Sequence, residues 1–295
     1  MKVTSCRVSS LIVIGGVLVL LAGLGTALAQ AGPPLSDRSA PVLADAAPAA
    51  LPREGSAASQ VLAGGVLIIQ DQDPWGYSAI QDILTAHSIA YDQVDSSEIP
   101  TVNLTPYGLV IIPSNQPGSF YTTWNANIAR FETFVSAGGA LWLSTCAYSA
   151  TAPEPLVPGG VVNATDLDDF NVIVAPAHPW VAGVPSPMEG DFASHDSFTN
   201  LFPGSVVVAQ AQGSGLPTLV EYAMGTGRIL ITGQTLEITW EQGWDGAPIL
   251  ENSLLDMVDW ASQQAPEAIP ATGVVGLALL LVLLVGGGLV ALRRL

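Results

Sequence analysis

Three short polar segments end apolar runs and could carry chemistry. Asp71-Gln72-Asp73 follows residues 66–69, Ser114-Asn115 follows residues 109–112, and Thr145-Cys146 closes residues 140–145. If the runs are parallel strands of an open α/β sheet, their ends line the crevice where such sheets bind ligands. Asp71, Asp73, Ser114 and Asn115 are then the candidate ligand-binding residues. The Asp pair offers the oxygen donors that Ca²⁺ or Mg²⁺ takes, but two carboxylates are too few for a defined site. Strand-end Asp residues also cap the helix or turn that follows. We therefore expect no metal site and no cofactor.

Other clusters are weaker. Asp166, Asp168 and Asp169 lack the glycine and terminal glutamate of a calcium loop and read as a solvated face. Trp180, Trp240 and Trp244 lie in loop-like stretches with Glu237, Glu241 and Asp245 nearby. Such a mixture suits sugar stacking and hydroxyl binding, although large aromatics also plug sheet edges. The Gly225–Gly227 turn does not open a helix, so no phosphate-cradling loop is present.

The elements that must position these groups alternate along the chain. Residues 66–69, 91–94, 109–112 and 140–145 read as strands, with 77–87 and 121–136 as helices between them. Gly138-Gly139 supplies a helix stop. Residues 206–210, 218–222 and 228–232 read as short strands joined by glycine turns, and 249–260 as a closing amphipathic helix. This order predicts a flavodoxin-like, doubly wound, mostly parallel sheet with an antiparallel C-terminal extension, over residues 61–262.

The 295 residues hold 25 Asp+Glu against 8 Lys+Arg, a formal charge of −17, and 49% are hydrophobic. Eight cations can hardly form a basic face, so nucleic acid is excluded as a partner. An acidic disordered chain would be poorer in apolar residues. Half the cations flank two apolar ends. Residues 1–29 carry Lys2 and Arg7, then an apolar run, then Ala27-Leu28-Ala29, the pattern of a signal peptide that signal peptidase cuts after Ala29. Residues 30–60 read as a Pro/Ala-rich disordered linker. Residues 274–292 would make about 28 Å of uncharged helix, a C-terminal transmembrane helix ahead of a basic cytoplasmic tail at 293–295. Loss of residues 1–29 leaves Cys146 as the only cysteine, so no internal disulfide can form.

Two resemblances follow from these residues. Ile269-Pro270-x-Thr272-Gly273, in the spacer 263–273 and followed by the span and tail, resembles the Leu-Pro-x-Thr-Gly sorting signal of cell-surface proteins. It implies a sortase or exosortase-like transpeptidase as partner, a cut between Thr272 and Gly273, and an exported protein at the cell surface, anchored in the membrane or attached to the wall. The central region is similar to the class I glutamine amidotransferase-like superfamily. That match rests on Asp71-x-Asp73, on the step from Gly138-Gly139 to Cys146, on His178-Pro179, and on Gly225-x-Gly227-Arg228. Catalytic members place a cysteine after a strand, which implies a cysteine-dependent hydrolase or amidase using Cys146 with His195 or His178 as base. Here Ser144-Thr145-Cys146-Ala147-Tyr148 replaces the Gly-x-Cys-x-Gly elbow, and His195-Asp196 replaces the late His-x-Glu pair. A small buried cysteine ending a core strand is the other reading. The function expected is thus a non-catalytic domain with a binding or structural role, taking a small-molecule or glycan ligand.

Overall fold

The computed structural model describes residues 64–147 and 153–264. Four strands come first: β1 (Gly65–Ile69), β2 (Tyr91–Val94), β3 (Tyr107–Ile112) and β4 (Ala140–Ser144). Helices α1 (Ala79–Ala86) and α2 (Gly118–Ser136) lie between them. Then come β5 (Val162–Ile173), β6 (Met188–Thr199), β7 (Val206–Ala211), β8 (Pro217–Met224) and β9 (Gly227–Thr232). Helices α3 (Leu236–Gln242) and α4 (Ala247–Gln264) close the described chain.

All nine strands join one sheet in the order β2-β1-β3-β4-β9-β8-β7-β5-β6. Pairing is parallel from β2 through β9 and antiparallel from β9 through β6. The expected flavodoxin-like, mostly parallel sheet is therefore corrected to an evenly mixed one. Strand β9, expected within the antiparallel extension, instead lies parallel to β4, with Ala140 opposite Arg228 and Ser144 opposite Thr232. The larger error concerns β5 and β6. Asp166, Asp168 and Asp169, read as a solvated face and given no element, belong to a twelve-residue strand that pairs along its length with β6.

Alternation along the central strands builds two apolar layers. Val66, Ile68, Leu109, Ile111 and Trp142 pack on one side with α1 and with Leu250, Leu254 and Met257 of α4. Leu67, Ile69, Val110, Ile112 and Leu141 pack on the other with Tyr121, Trp124 and Phe131 of α2. Each such side chain contributes about 1.5–3 kcal/mol by leaving water. Helix α2 stops where Gly138 turns to φ +110°, which lets Gly139 N–H reach back to the Phe134 carbonyl at 3.1 Å. Strand β9 then starts so close beneath that a Cβ on Gly227 would lie 2.0 Å from the Val135 carbonyl oxygen.

A polar network ties the β5–β6 connection to α4. Arg228 pairs with Glu221 and, at 2.7 Å, with Asp256, and its guanidinium lies 5.4 Å from the Trp180 ring. Trp180 is fully buried and donates to Asp256 at 2.8 Å, while His178 meets Glu221 at 2.7 Å. Burial works to raise the Glu221 carboxyl, but bonds from His178 and Arg228 hold it below its ordinary value.

Among the described residues, no helix is long and apolar enough to cross a membrane. The expected transmembrane segment 274–292 lies outside them. So do the signal peptide with Ala29, the linker 30–60, the sorting residues Ile269, Pro270, Thr272 and Gly273, and the tail 293–295.

Candidate functional site

The loops after β1 and β3 are locked together by one side chain. Gln116 Oε1 accepts from the backbone N–H of Asp71 (2.8 Å) and Gln72 (3.2 Å), and its Nε2 donates to the carbonyls of Gln72 and Ser114, both at 2.9 Å. Gln72 Nε2 adds a bond to the Asn115 carbonyl at 2.6 Å. The carboxylates expected to face a ligand are turned to other work. Asp71 accepts from the backbone N–H and hydroxyl of Ser96 at 2.7 and 2.8 Å, holding the turn after β2. Asp73 accepts from Gln70 at 2.9 Å.

Beneath these loops lies a fully buried carboxylate from just beyond β9. Glu237 Oε1 accepts from Ser114 N–H at 2.9 Å and Oε2 from the Ser114 hydroxyl at 2.8 Å. The Ser114 oxygen in turn accepts from Trp75 Nε1 at 2.9 Å. Burial pushes the Glu237 carboxyl up, against the pull of those bonds. The relay fixes the Trp75 indole on a residue whose φ is +56°, in the left-handed region.

Strand β6 lies across this edge. His195 and Asp196 both donate backbone N–H groups to the Gly233 carbonyl, at 2.9 and 3.3 Å. The His195 ring is thereby set edge-on between Trp75, 5.3 Å away, and Phe192, 5.9 Å away. Burial lowers the His195 pKa. Phe192 is 46% exposed and has φ +51°, as does Asn115. Five non-glycine residues in the described chain have positive φ, and three of them, Trp75, Asn115 and Phe192, meet at this edge.

Cys146 does not have the setting of a nucleophile. It is 0% exposed, and its thiol is raised well above the ordinary range by burial, then by the negative charges of Asp196 and Glu237. A reactive cysteine needs the opposite, an electropositive and accessible setting. Of its expected bases, His195 turns Nδ1 to the Ala147 carbonyl at 3.4 Å, and His178 is engaged with Glu221 in the α4 network. Asp196, 2% exposed, is raised to about 7 by burial and then by the Glu154 charge. Among the described residues no group of three or more His, Cys, Asp or Glu is arranged to hold a metal ion.

Sequence reasoning brought Ser114, Asn115, Cys146 and His195 to this edge but missed Trp75, Phe192, Gln116 and the part played by Glu237. An aromatic residue two positions past a strand-end Asp was the available signal for Trp75. Trp180, read as a loop aromatic, is instead a core residue, and Trp240 lies on α3.

No family model matches the chain. An uncharacterized protein of Clostridium acetobutylicum is 27% identical over 192 residues, 64% of this chain. The chain spans only 20% of that protein's length. Similar solved structures include a cytoplasmic protein of Salmonella typhimurium LT2 (TM-score 0.48, 14% identity, 65% of this chain and 99% of that one). A ThuA-like protein of Parabacteroides merdae gives 0.43 and 17%, over 69% and 91% of the two chains. A β-galactosidase of Bacillus circulans sp. alkalophilus gives 0.42 and 16%, over 66% and 31%. The resemblance to amidotransferase-like surface proteins with a sorting signal is set aside: no family model supports it, and its sorting residues lie outside the described ones. The expected export, membrane anchoring and cell-surface location are likewise unsupported. Among the described residues no helix is long and apolar enough to cross a membrane, and residues 1–29 and 274–292 lie outside them.

Proposed function

We propose that this chain is a non-catalytic binding domain whose ligand face is the carboxyl edge of the parallel strands, and that the ligand is a neutral, hydroxyl-rich molecule of the glycan class. The observation that carries this reading is the fixed aromatic group at that edge, Trp75 and Phe192 set about the His195 ring. Two of its three members sit on left-handed backbone, a cost that folded chains tend to keep at functional sites. Exposed aromatic faces stack on sugar rings, whose hydroxyl groups suit the polar side chains of a strand-end loop such as that after β1. A chain of formal charge −17 disfavours anionic ligands. The buried, electronegative setting of Cys146 weighs against the hydrolase reading.

The test is a panel of neutral and acidic oligosaccharides presented to the full chain, followed by titration calorimetry on any that bind. Trp75→Ala and Phe192→Ala should each weaken a neutral ligand at least tenfold while the thermal melt of Phe192→Ala stays near wild type. Binding confined to acidic sugars, or affinity indifferent to both substitutions, would refute the reading.

A further inference from the structure

A recess of about 800 Å³ opens at the opposite, amino edge of the sheet, well within the size range of small-molecule sites. Its walls mix the apolar side chains of Val102, Leu104, Tyr107, Phe134 and Ala261 with threonine, Asn103 and Gln264, and glycines complete the lining. None of its described lining residues is Asp or Glu, in a chain that carries 25 of them, and Arg130 is its one charged lining residue.

Arg130 differs from the other described arginine. Arg228 is held between two carboxylates, whereas no ion pair of Arg130 occurs among the described residues. The Arg130 guanidinium donates to the carbonyls of Ile99 and, at 2.7 Å, Val102. That uses two of its five N–H groups and neutralises no charge. The α2 carbonyls at the recess, which would otherwise repel an anion, are taken: Phe134 by Gly139 N–H, Val135 by Gly138 N–H and Ser136 by Thr226 N–H. Tyr107 presents its ring while its hydroxyl donates to Asp92 at 2.8 Å, so that carboxylate is engaged too.

We infer that this recess binds a small carboxylate with an apolar body, the carboxylate on Arg130 and the body against Phe134, Tyr107 and Leu104. The charge complementarity is local: a guanidinium with no ion pair among the described residues, in a recess whose described lining holds no carboxylate, favours an anion that the rest of the acidic surface repels. Its apolar walls favour a hydrocarbon over a hydrated inorganic ion.

Octanoate is the probe, with 1-octanol as the uncharged control, both titrated calorimetrically into the full chain. Octanoate should bind at least tenfold more tightly than 1-octanol, and added salt should narrow the difference. Arg130→Gln should abolish the preference. Because Arg130 also holds two carbonyls, Ala137→Phe provides a second variant, filling the recess from an exposed position. It should weaken octanoate at least tenfold without moving the ligand-free melting temperature. Equal affinity for the two probes, no binding of octanoate, or indifference to Ala137→Phe would overturn the inference.

Discussion

Ser114 occupies both oxygens of the Glu237 carboxylate, its N–H on one and its hydroxyl on the other, and each residue is 0% exposed. The pair joins the loop after β3 to the start of α3, and through the Ser114 oxygen it holds Trp75. Glu237→Ala leaves a buried N–H and hydroxyl without acceptors and should cost about 3 kcal/mol of stability by urea unfolding. Ser114→Ala keeps the backbone bond and should cost about 1–2 kcal/mol, while loosening the indole. A loss below about 0.5 kcal/mol in Glu237→Ala would show that the pair does not hold the edge together.

Asp196 makes stability depend on pH in an unusual direction for a carboxylate. Burial, then the Glu154 charge, raises it to about 7, whereas in the unfolded chain it ionises near about 4. Between those values, raising the pH removes a proton from the unfolded chain only. Its contribution is therefore full below about pH 4, falls through the interval and is lost above about pH 7. Asp196→Asn should remove that fall and raise stability at pH 8 by at most about 4 kcal/mol. Urea midpoints at pH 5 and pH 8 for the two proteins check it, and an unchanged slope in the variant would contradict it.

Cys146 should be inert in the folded protein. With its sulfur buried and its thiol raised, iodoacetamide at pH 8 should modify it only at the rate of unfolding. Peptide mass spectrometry after labelling with and without urea distinguishes it from Cys6. Cys146→Ala should cost about 1–2 kcal/mol and leave ligand affinity unchanged. Rapid labelling in native buffer would instead reopen the nucleophile reading.

Gly233 is where β6 crosses the carboxyl edge, and a Cβ there would lie 2.0 Å from the Asp196 carbonyl oxygen. Backbone cannot retreat as a side-chain tip can. Gly233→Ala should destabilise by about 3 kcal/mol and expose the amides of His195 and Asp196 to hydrogen exchange well before those of β4. Uniform exchange would mean that the crossing opens only with the whole sheet.

What the sequence displays depends on where its apolar residues can hide. Residues 66–69, 109–112 and 140–145 are covered on both faces, so they read as unbroken apolar runs and their strands are found within two residues. Strand β5 carries three Asp residues, a type that strands disfavour, and between Val162 and Phe170 it pairs only with β6. That pairing is long-range and has no local periodic signature. The same gap hid the site: Trp75 follows β1 while Phe192 and His195 lie more than a hundred residues later on β6, and only the β6 crossing brings them together. Asp71 and Asp73 stood where a ligand was expected, but nothing in their spacing revealed that Ser96 and Gln70 would occupy them.

The position of β9 also governs how this chain can be assembled. It sits between β4 and β8, yet it is made after both, and Ala140, already paired with Leu109, waits for its second partner until Arg228 exists. Until residues 227–232 are inserted, the parallel and antiparallel halves each present a bare apolar edge, the kind of template on which strands of different molecules join. The closing contact is also of high sequence separation, which slows folding. A nascent or truncated chain lacking β9 is thus two unfinished sheets, and its main hazard is pairing with a neighbour instead of with itself.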